Sequence, residues 1–212
     1  METNFNEQDS LRLITEMITQ ARSNFQRKNG RSILLWGYAI AILALSNFAL
    51  LHLLEGEAQM QSYWVWMLTI PLFIVNYIYE ARKAKRALVK NHIDRMIGYL
   101  WLAFFVANLI FIASVFALTL GFHTPHIGVL YLLIMPVTTT LTGLCLFVNG
   151  QLCRFRPYVY GGIIFWVGAL LSVVVLLVWL EQSLQFLVLS LCTIGGFIIP
   201  GHLLNEKEKQ DV

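Results

Sequence analysis

The sequence predicts an all-α polytopic membrane protein with six transmembrane helices in three tandem hairpins, preceded by an amphipathic helix. Of its 212 residues, 58% are hydrophobic and only 13% are charged, which is too apolar for an ordinary soluble domain. Six apolar segments follow one another along the chain, each near the ~20 residues that cross a bilayer. The connections between them alternate between basic and cation-free, as in membrane proteins that keep positive charge in their cytoplasmic loops.

Residues 1–31 are predicted to form a cytoplasmic amphipathic helix and a linker. Apolar side chains recur there at helical spacing, opposite Arg12, Glu16 and Arg22. The pair Asn29-Gly30 is a typical helix end. The apolar side chains form a stripe along one face of this helix. This stripe either lies in the inner interface of the bilayer or docks on a partner or a second subunit. Its candidate partner-binding residues are Ile14, Met17, Ile18 and Phe25.

The transmembrane domain is predicted over residues 32–204, and residues 205–212 form a cytoplasmic tail. Within it the predicted spans are 33–54, 63–79, 97–120, 127–148, 158–180 and 186–204. The second and last spans are the shortest, and both still approach the required length.

Charge gives the predicted orientation. The fifteen Lys and Arg residues lie in residues 1–31, 82–95, 154–156 and the tail, while the outer loops carry only Glu55, Glu57 and Glu181. The pattern predicts a cell inner (plasma) membrane protein with both termini cytoplasmic. Positive-inside charge accounts for the basic face, so we expect membrane lipids and no nucleic acid as partners. The candidate headgroup contacts are Arg82, Lys83, Lys85, Arg86, Arg154 and Arg156.

Two residue series suggest an internal repeat. Trp36, Trp101 and Trp166 fall in the odd-numbered spans and Pro71, Pro136 and Pro200 in the even-numbered ones, at nearly one period. Equal hairpin lengths would also generate this spacing, and the copies match poorly elsewhere. We favour three hairpins inserted in the same orientation.

No Asp, Glu, Lys or Arg occurs within the six predicted spans. Charged residues inside a membrane usually mark ion paths and proton relays, so their absence argues against a proton- or sodium-coupled transporter and against acid–base catalysis there. The sequence also has no phosphate-binding glycine loop, nucleophile elbow or paired-carboxylate motif. We therefore expect neither an enzyme nor a cofactor.

Uncharged polar residues leave two interpretations open. Thr138, Thr139, Thr140 and Thr142 follow Pro136 and would either line a polar cavity or hold helices together by hydrogen bonds. The glycines of the last two spans suggest close helix packing. At the outer face, His52, His123 and His126 accompany the three glutamates, but Pro125 keeps two of these histidines off one helical face, and we expect no metal site.

The segment SLRLITEMITQARSNFQRKNGRSILLWG, the residues KNHID and the closing GFIIPGHLLN resemble a group of small multi-pass membrane proteins common in Bacteroidota. The similarity covers nearly the whole chain. It implies a bacterial inner-membrane location and carries no activity with it.

These patterns favour a non-enzymatic membrane protein that acts as a regulator or assembly partner through its cytoplasmic face. The alternative is a small carrier or channel for a neutral or lipid-like solute, with the threonines after Pro136 as its lining.

Overall fold

The structure, a computed structural model, describes residues 7–56, 58–86, 92–121, 129–179 and 181–210. Within these ranges it does not describe the side chains of residues 7–9, 14, 18–31, 80, 81, 83–86, 92, 94 and 207–210. The helices are α1 (Glu7–Leu53), α2 (Ala58–Gln61), a 3₁₀-helix (Ser62–Leu68), α3 (Thr69–Arg86), α4 (His92–Gly121), α5 (Val129–Leu132), α6 (Ile134–Cys153), α7 (Arg156–Trp179), α8 (Ser183–Thr193), a π-helix (Ile194–Ile198) and α9 (Ile199–Gln210).

The predicted fold class is confirmed. Over the described ranges the chain is helical apart from short turns, and no strand occurs in them. Six segments are long and apolar enough to cross a membrane: Ser32–Leu53, Ala58–Tyr79, Arg95–Gly121, Val129–Cys153, Arg156–Trp179 and Ser183–Glu206. They overlap the six spans expected from hydropathy, with ends shifted by a few residues.

The first helix differs from the sequence prediction. The pair Asn29-Gly30 does not end a separate amphipathic helix, because α1 runs unbroken from Glu7 to Leu53 over 47 residues. A glycine inside a helix costs only about 1 kcal/mol relative to alanine. The span beyond Gly30 is already helical, so each further residue adds a backbone hydrogen bond without a new nucleation step.

The even-numbered spans are irregular just before their prolines. Pro71 follows the 3₁₀-helix that ends at Leu68, Pro136 follows a turn at Leu133, and Pro200 follows the π-helix that ends at Ile198. Proline removes one backbone donor and crowds the preceding turn, so the helix ahead of it is easily loosened or tightened. The three irregularities differ in kind, because a 3₁₀-helix is tighter than an α-helix whereas a π-helix is wider.

The bundle is built on the first and last spans. The membrane part of α1 packs along α8, the π-helix and α9, which together form the last span. Helix α7 packs between this last span and α6, and α4 lies along α6. The buried Phe165 and Phe197 meet edge to face, with ring centroids 5.4 Å apart, between α7 and the π-helix.

Glycines set the close approach of these helices, as expected. A Cβ on Gly161 would lie 2.7 Å from the carbonyl oxygen of Gly196, and one on Gly162 would lie 2.7 Å from that of Gly143. One seam therefore joins α7 to the π-helix and the other joins α7 to α6. Small residues at such contacts let helix backbones approach each other in a membrane, where apolar burial supplies little driving force.

The second and third spans are packed less tightly. Only 6% and 11% of their apolar stretches are buried, against 33% to 56% in the other four spans. Aromatic rings join them to the first span: Phe73 lies 4.6 Å from Phe105, and Trp36 lies 6.4 Å and 6.3 Å from these two rings. Most of their surface therefore faces the surroundings of the bundle.

The tryptophans of the suggested repeat have unlike neighbours. Trp36 contacts rings of the second and third spans, whereas Trp101 contacts Phe197 of the last span. Trp166 contacts Phe147 of α6, and its indole donates to the carbonyl of Thr140. The tandem-hairpin arrangement stays a prediction.

Candidate functional site

The N-terminal part of α1 carries exposed apolar side chains. Leu11 and Met17 are 65% and 62% exposed, and Leu13 is also exposed. Arg12 pairs with Glu16 one turn later at 3.1 Å, and both are well exposed. Of the candidate partner-binding residues, Met17 is thus accessible, while the side chains of Ile14, Ile18 and Phe25 lie outside the described part of the chain.

The connection between α6 and α7 is a tight corner. Helix α6 ends with Arg154 in the left-handed conformation at φ 50° and ψ 40°. The Arg154 amide donates to the Gln151 carbonyl at 3.2 Å, and the Phe155 amide donates to the Gly150 carbonyl at 2.9 Å. This pair of bonds is the Schellman motif, whose left-handed position usually holds glycine. Phe155 is buried against Tyr158, with ring centroids 4.8 Å apart.

An open cleft of about 540 Å³ lies at this corner. Its lining residues are Gly150, Gln151, Arg154, Arg156, Val159 and Tyr160. No carboxylate lines the cleft, and within the described ranges neither arginine forms an ion pair with an acidic side chain. The corner therefore brings two exposed arginines together with Gln151 and Tyr160 along one open cleft.

The candidate headgroup residues are thus only partly brought together. Arg154 and Arg156 share the cleft. Arg82 is exposed on α3. The described part of the structure does not include the side chains of Lys83, Lys85 and Arg86. Gln151 and Tyr160 were not predicted from the sequence. Tyr160 could have been found from its position at the edge of a span, because tyrosine is enriched at the interface between membrane and water.

Three of the threonines after Pro136 bond within α6, and the fourth bonds to a neighbouring helix. Thr139, Thr140 and Thr142 each donate to the carbonyl four residues earlier, at 2.7 to 2.8 Å. Thr138 donates to Asn108 Oδ1 at 2.8 Å, and Asn108 in turn donates to the Phe104 carbonyl. The Thr138 bond joins α6 to α4 and fits the interpretation that these threonines hold helices together, and the carrier hypothesis gains no support from the threonines.

At the opposite end of the bundle, a polar contact joins α1 to the start of α8. His52 Nε2 lies 3.0 Å from Glu181 Oε1, which also accepts from the Ser183 hydroxyl at 2.8 Å. The other ring nitrogen of His52 lies 3.0 Å from the Phe48 carbonyl. Both His52 and Glu181 are about half exposed, so the pair contributes at most about 1 kcal/mol.

Among the described residues, no group of three His, Cys, Asp or Glu side chains is placed to hold a metal ion. His123 and His126 lie outside the described ranges. Cys145, Cys153 and Cys192 are buried at three different positions of α6 and α8 and form no disulfide with one another.

Comparison of the chain with protein-family models, curated proteins and solved structures finds no match.

Proposed function

We propose that this protein is a non-enzymatic regulator or assembly partner that binds a protein at the cytoplasmic face of a bacterial inner membrane. The binding element is the part of α1 that precedes the first span. The observation that carries the proposal is the continuity of α1 from Glu7 to Leu53.

The continuity of α1 supports docking on a protein over the interfacial interpretation of the amphipathic stripe. At 1.5 Å per residue the 47 residues extend for about 70 Å, of which Ser32–Leu53 takes about 33 Å. The remaining ~37 Å continues the axis of a transmembrane helix. A helix that lies in the interface must instead turn along the membrane plane, and α1 contains no proline, 3₁₀ or π segment at which to turn.

A stripe carried away from the bilayer needs a different apolar surface to cover it. Leu11, Leu13 and Met17 are exposed, and the helical spacing of the sequence adds Ile14, Ile18 and Phe25 to the same region. Apolar positions repeating every three or four residues are the pattern by which an amphipathic helix docks into a groove or against another helix.

The proposed membrane and orientation rest on charge and resemblance. All cations fall in the N-terminal segment, the connections after even-numbered spans and the tail, which supports cytoplasmic termini. The resemblance to Bacteroidota membrane proteins supports a bacterial inner membrane. The proposed threefold repeat is supported by the irregular helix that precedes Pro71, Pro136 and Pro200.

Photo-crosslinking in intact cells tests the binding element. A benzoylphenylalanine at Met17, on the apolar side of the helix, should give one or a few crosslinked species of defined protein mass. The same probe at Arg12, which lies on the polar side and is also exposed, is the matched control and should give none. The mass distinguishes a second copy of the chain from another protein. Crosslinks to lipid alone at Met17, or equal products at both positions, would refute the proposal.

Substitutions within the stripe should act on binding and leave the fold intact. Ile14→Asp combined with Ile18→Asp should abolish the crosslink, because two carboxylates cannot be buried unpaired in an apolar contact. Deletion of residues 1–28 should do the same while the truncated protein still inserts and stays monodisperse in detergent, since the spans make their backbone hydrogen bonds internally. Misinsertion of the truncated protein would mean that this segment belongs to the folded core.

A further inference from the structure

The corner between α6 and α7 has a residue that its backbone disfavours. Arg154 holds the left-handed position of the Schellman motif, where glycine is favoured because a side chain crowds the backbone. Among the described non-glycine residues it alone has a positive φ. Glycine there would relieve the backbone, so the benefit of arginine must come from its side chain. Backbone strain of this kind is concentrated at sites that bind ligands.

The surroundings of Arg154 indicate what that side chain meets. The cleft that it lines with Arg156 also holds Gln151 and Tyr160, which supply further hydrogen-bond donors. The two ion pairs found among the described residues lie elsewhere, and both arginines are exposed, so their guanidinium groups are accessible to a ligand. Two arginines beside one cleft suit the oxygens of a phosphate better than those of a neutral molecule.

Position favours a lipid as the source of that phosphate. The cleft lies where α6 ends and α7 begins, at the boundary of the fourth and fifth spans. Tyr160 is 61% exposed, and Ile163, Val167 and Leu171 follow it at helical spacing as exposed side chains. A molecule whose phosphate occupied the cleft would thus have an apolar track beneath it, along the outside of α7.

We propose that this cleft binds the phosphate of an anionic phospholipid, with Arg154 and Arg156 on the phosphate oxygens and the acyl chains along the exposed face of α7. Gln151 and Tyr160 orient the headgroup by hydrogen bonds. The site is separate from the apolar stripe of α1 and does not depend on it.

The experiment uses the full-length protein in nanodiscs of phosphatidylcholine with increasing phosphatidylglycerol, and native mass spectrometry counts the retained phosphatidylglycerol. Arg154→Gly and Arg156→Gln should each weaken retention about tenfold, as expected for the loss of charge-assisted hydrogen bonds. Arg82→Gln removes a cation from the same predicted face but outside the cleft, and should change retention less than about twofold because salt screens a charge that makes no direct contact with the bound phosphate.

Arg154→Gly separates binding from folding, because glycine suits this backbone position. The variant should unfold no more easily than the native protein in phosphatidylcholine alone, while losing the stabilisation that phosphatidylglycerol gives the native chain.

A second arm titrates inorganic phosphate into the native protein and Arg154→Gly and measures unfolding. We expect no effect in either. A different result would overturn the lipid assignment. If inorganic phosphate stabilised the native protein but not Arg154→Gly, and the native protein showed no preference for phosphatidylglycerol, the ligand would be a soluble phosphate compound. Equal loss in Arg82→Gln and Arg154→Gly would overturn the site itself, leaving only a general attraction of the basic face.

Discussion

The contact between Gly161 and Gly196 allows a quantitative test of how the bundle is held together. Replacing Gly161 by alanine would place a Cβ 2.7 Å from the carbonyl oxygen of Gly196 and 3.1 Å from its Cα. Both are backbone atoms, so no side-chain rotation relieves the contact. Gly98 is the matched control, since a Cβ there meets no heavy atom within 4 Å and the residue is exposed on α4.

The geometry sets the size of the effect. Restoring an ordinary separation of about 3.5 Å requires α7 and the π-helix to part by about 0.8 Å, and a gap of that size loses a quarter to a half of the dispersion energy of the atoms that separate. Overpacking a protein core usually lowers the free energy of unfolding by about 1–3 kcal/mol. Because the atoms on both sides of this contact belong to rigid backbones, we expect Gly161→Ala to lower it by about 2–3 kcal/mol. Gly98→Ala should instead stabilise by about 0.5–1 kcal/mol, the preference of a helix for alanine.

The assay is unfolding by sodium dodecyl sulfate in mixed micelles, followed by tryptophan fluorescence. Gly161→Ala should unfold at a lower detergent fraction than the native protein and Gly98→Ala at an equal or higher one. Gly143→Ala extends the test to the other seam, where the Cβ would lie 2.8 Å from the Gly162 carbonyl oxygen. If Gly161→Ala and Gly98→Ala shifted the midpoint alike, close backbone approach would not be what holds these helices.

Two further predictions concern orientation and polar contacts. A cysteine at Gln59 should react with a membrane-impermeant maleimide in intact cells and one at Gln151 only after lysis; both side chains are exposed, and the native cysteines are buried. Labelling of Gln151 from outside would reverse the orientation. Asn108→Leu and Thr138→Val should each destabilise by about 0.5–2 kcal/mol in the same unfolding assay and couple by about 0.6 kcal/mol in a double-mutant cycle, because they break one interhelical bond. Strict additivity would show that the bond contributes nothing.

Hydropathy and charge were sufficient to predict the spans and the fold class, because a bilayer requires each crossing segment to be long, apolar and internally hydrogen-bonded. The suggested packing role of the glycines also followed from their type alone. Which glycine faces which could not be predicted, since Gly196 meets Gly161 from within a π-helix, and a π-helix changes the helical phase that spacing arguments assume.

The local errors have a common physical source. Asn29-Gly30 has the composition of a helix end, and the α6–α7 corner has a helix end without glycine at its left-handed position. Composition reports the intrinsic preference of a few residues, whereas the observed backbone also depends on the neighbouring helix. Gln151 and Tyr160 were missed for a related reason, because they join Arg154 and Arg156 only after the chain has reversed direction.

The continuity of α1 also has a mechanical consequence. Its membrane part packs along the whole of the last span, and its other part extends the same helix by about 37 Å. A tilt of the first span by about 10° would displace the Glu7 end by roughly 6 Å. A protein bound to the Glu7 end would therefore be displaced by small changes in the packing of the bundle. Conversely, a force applied to that end would act directly on the contact between the first and last spans.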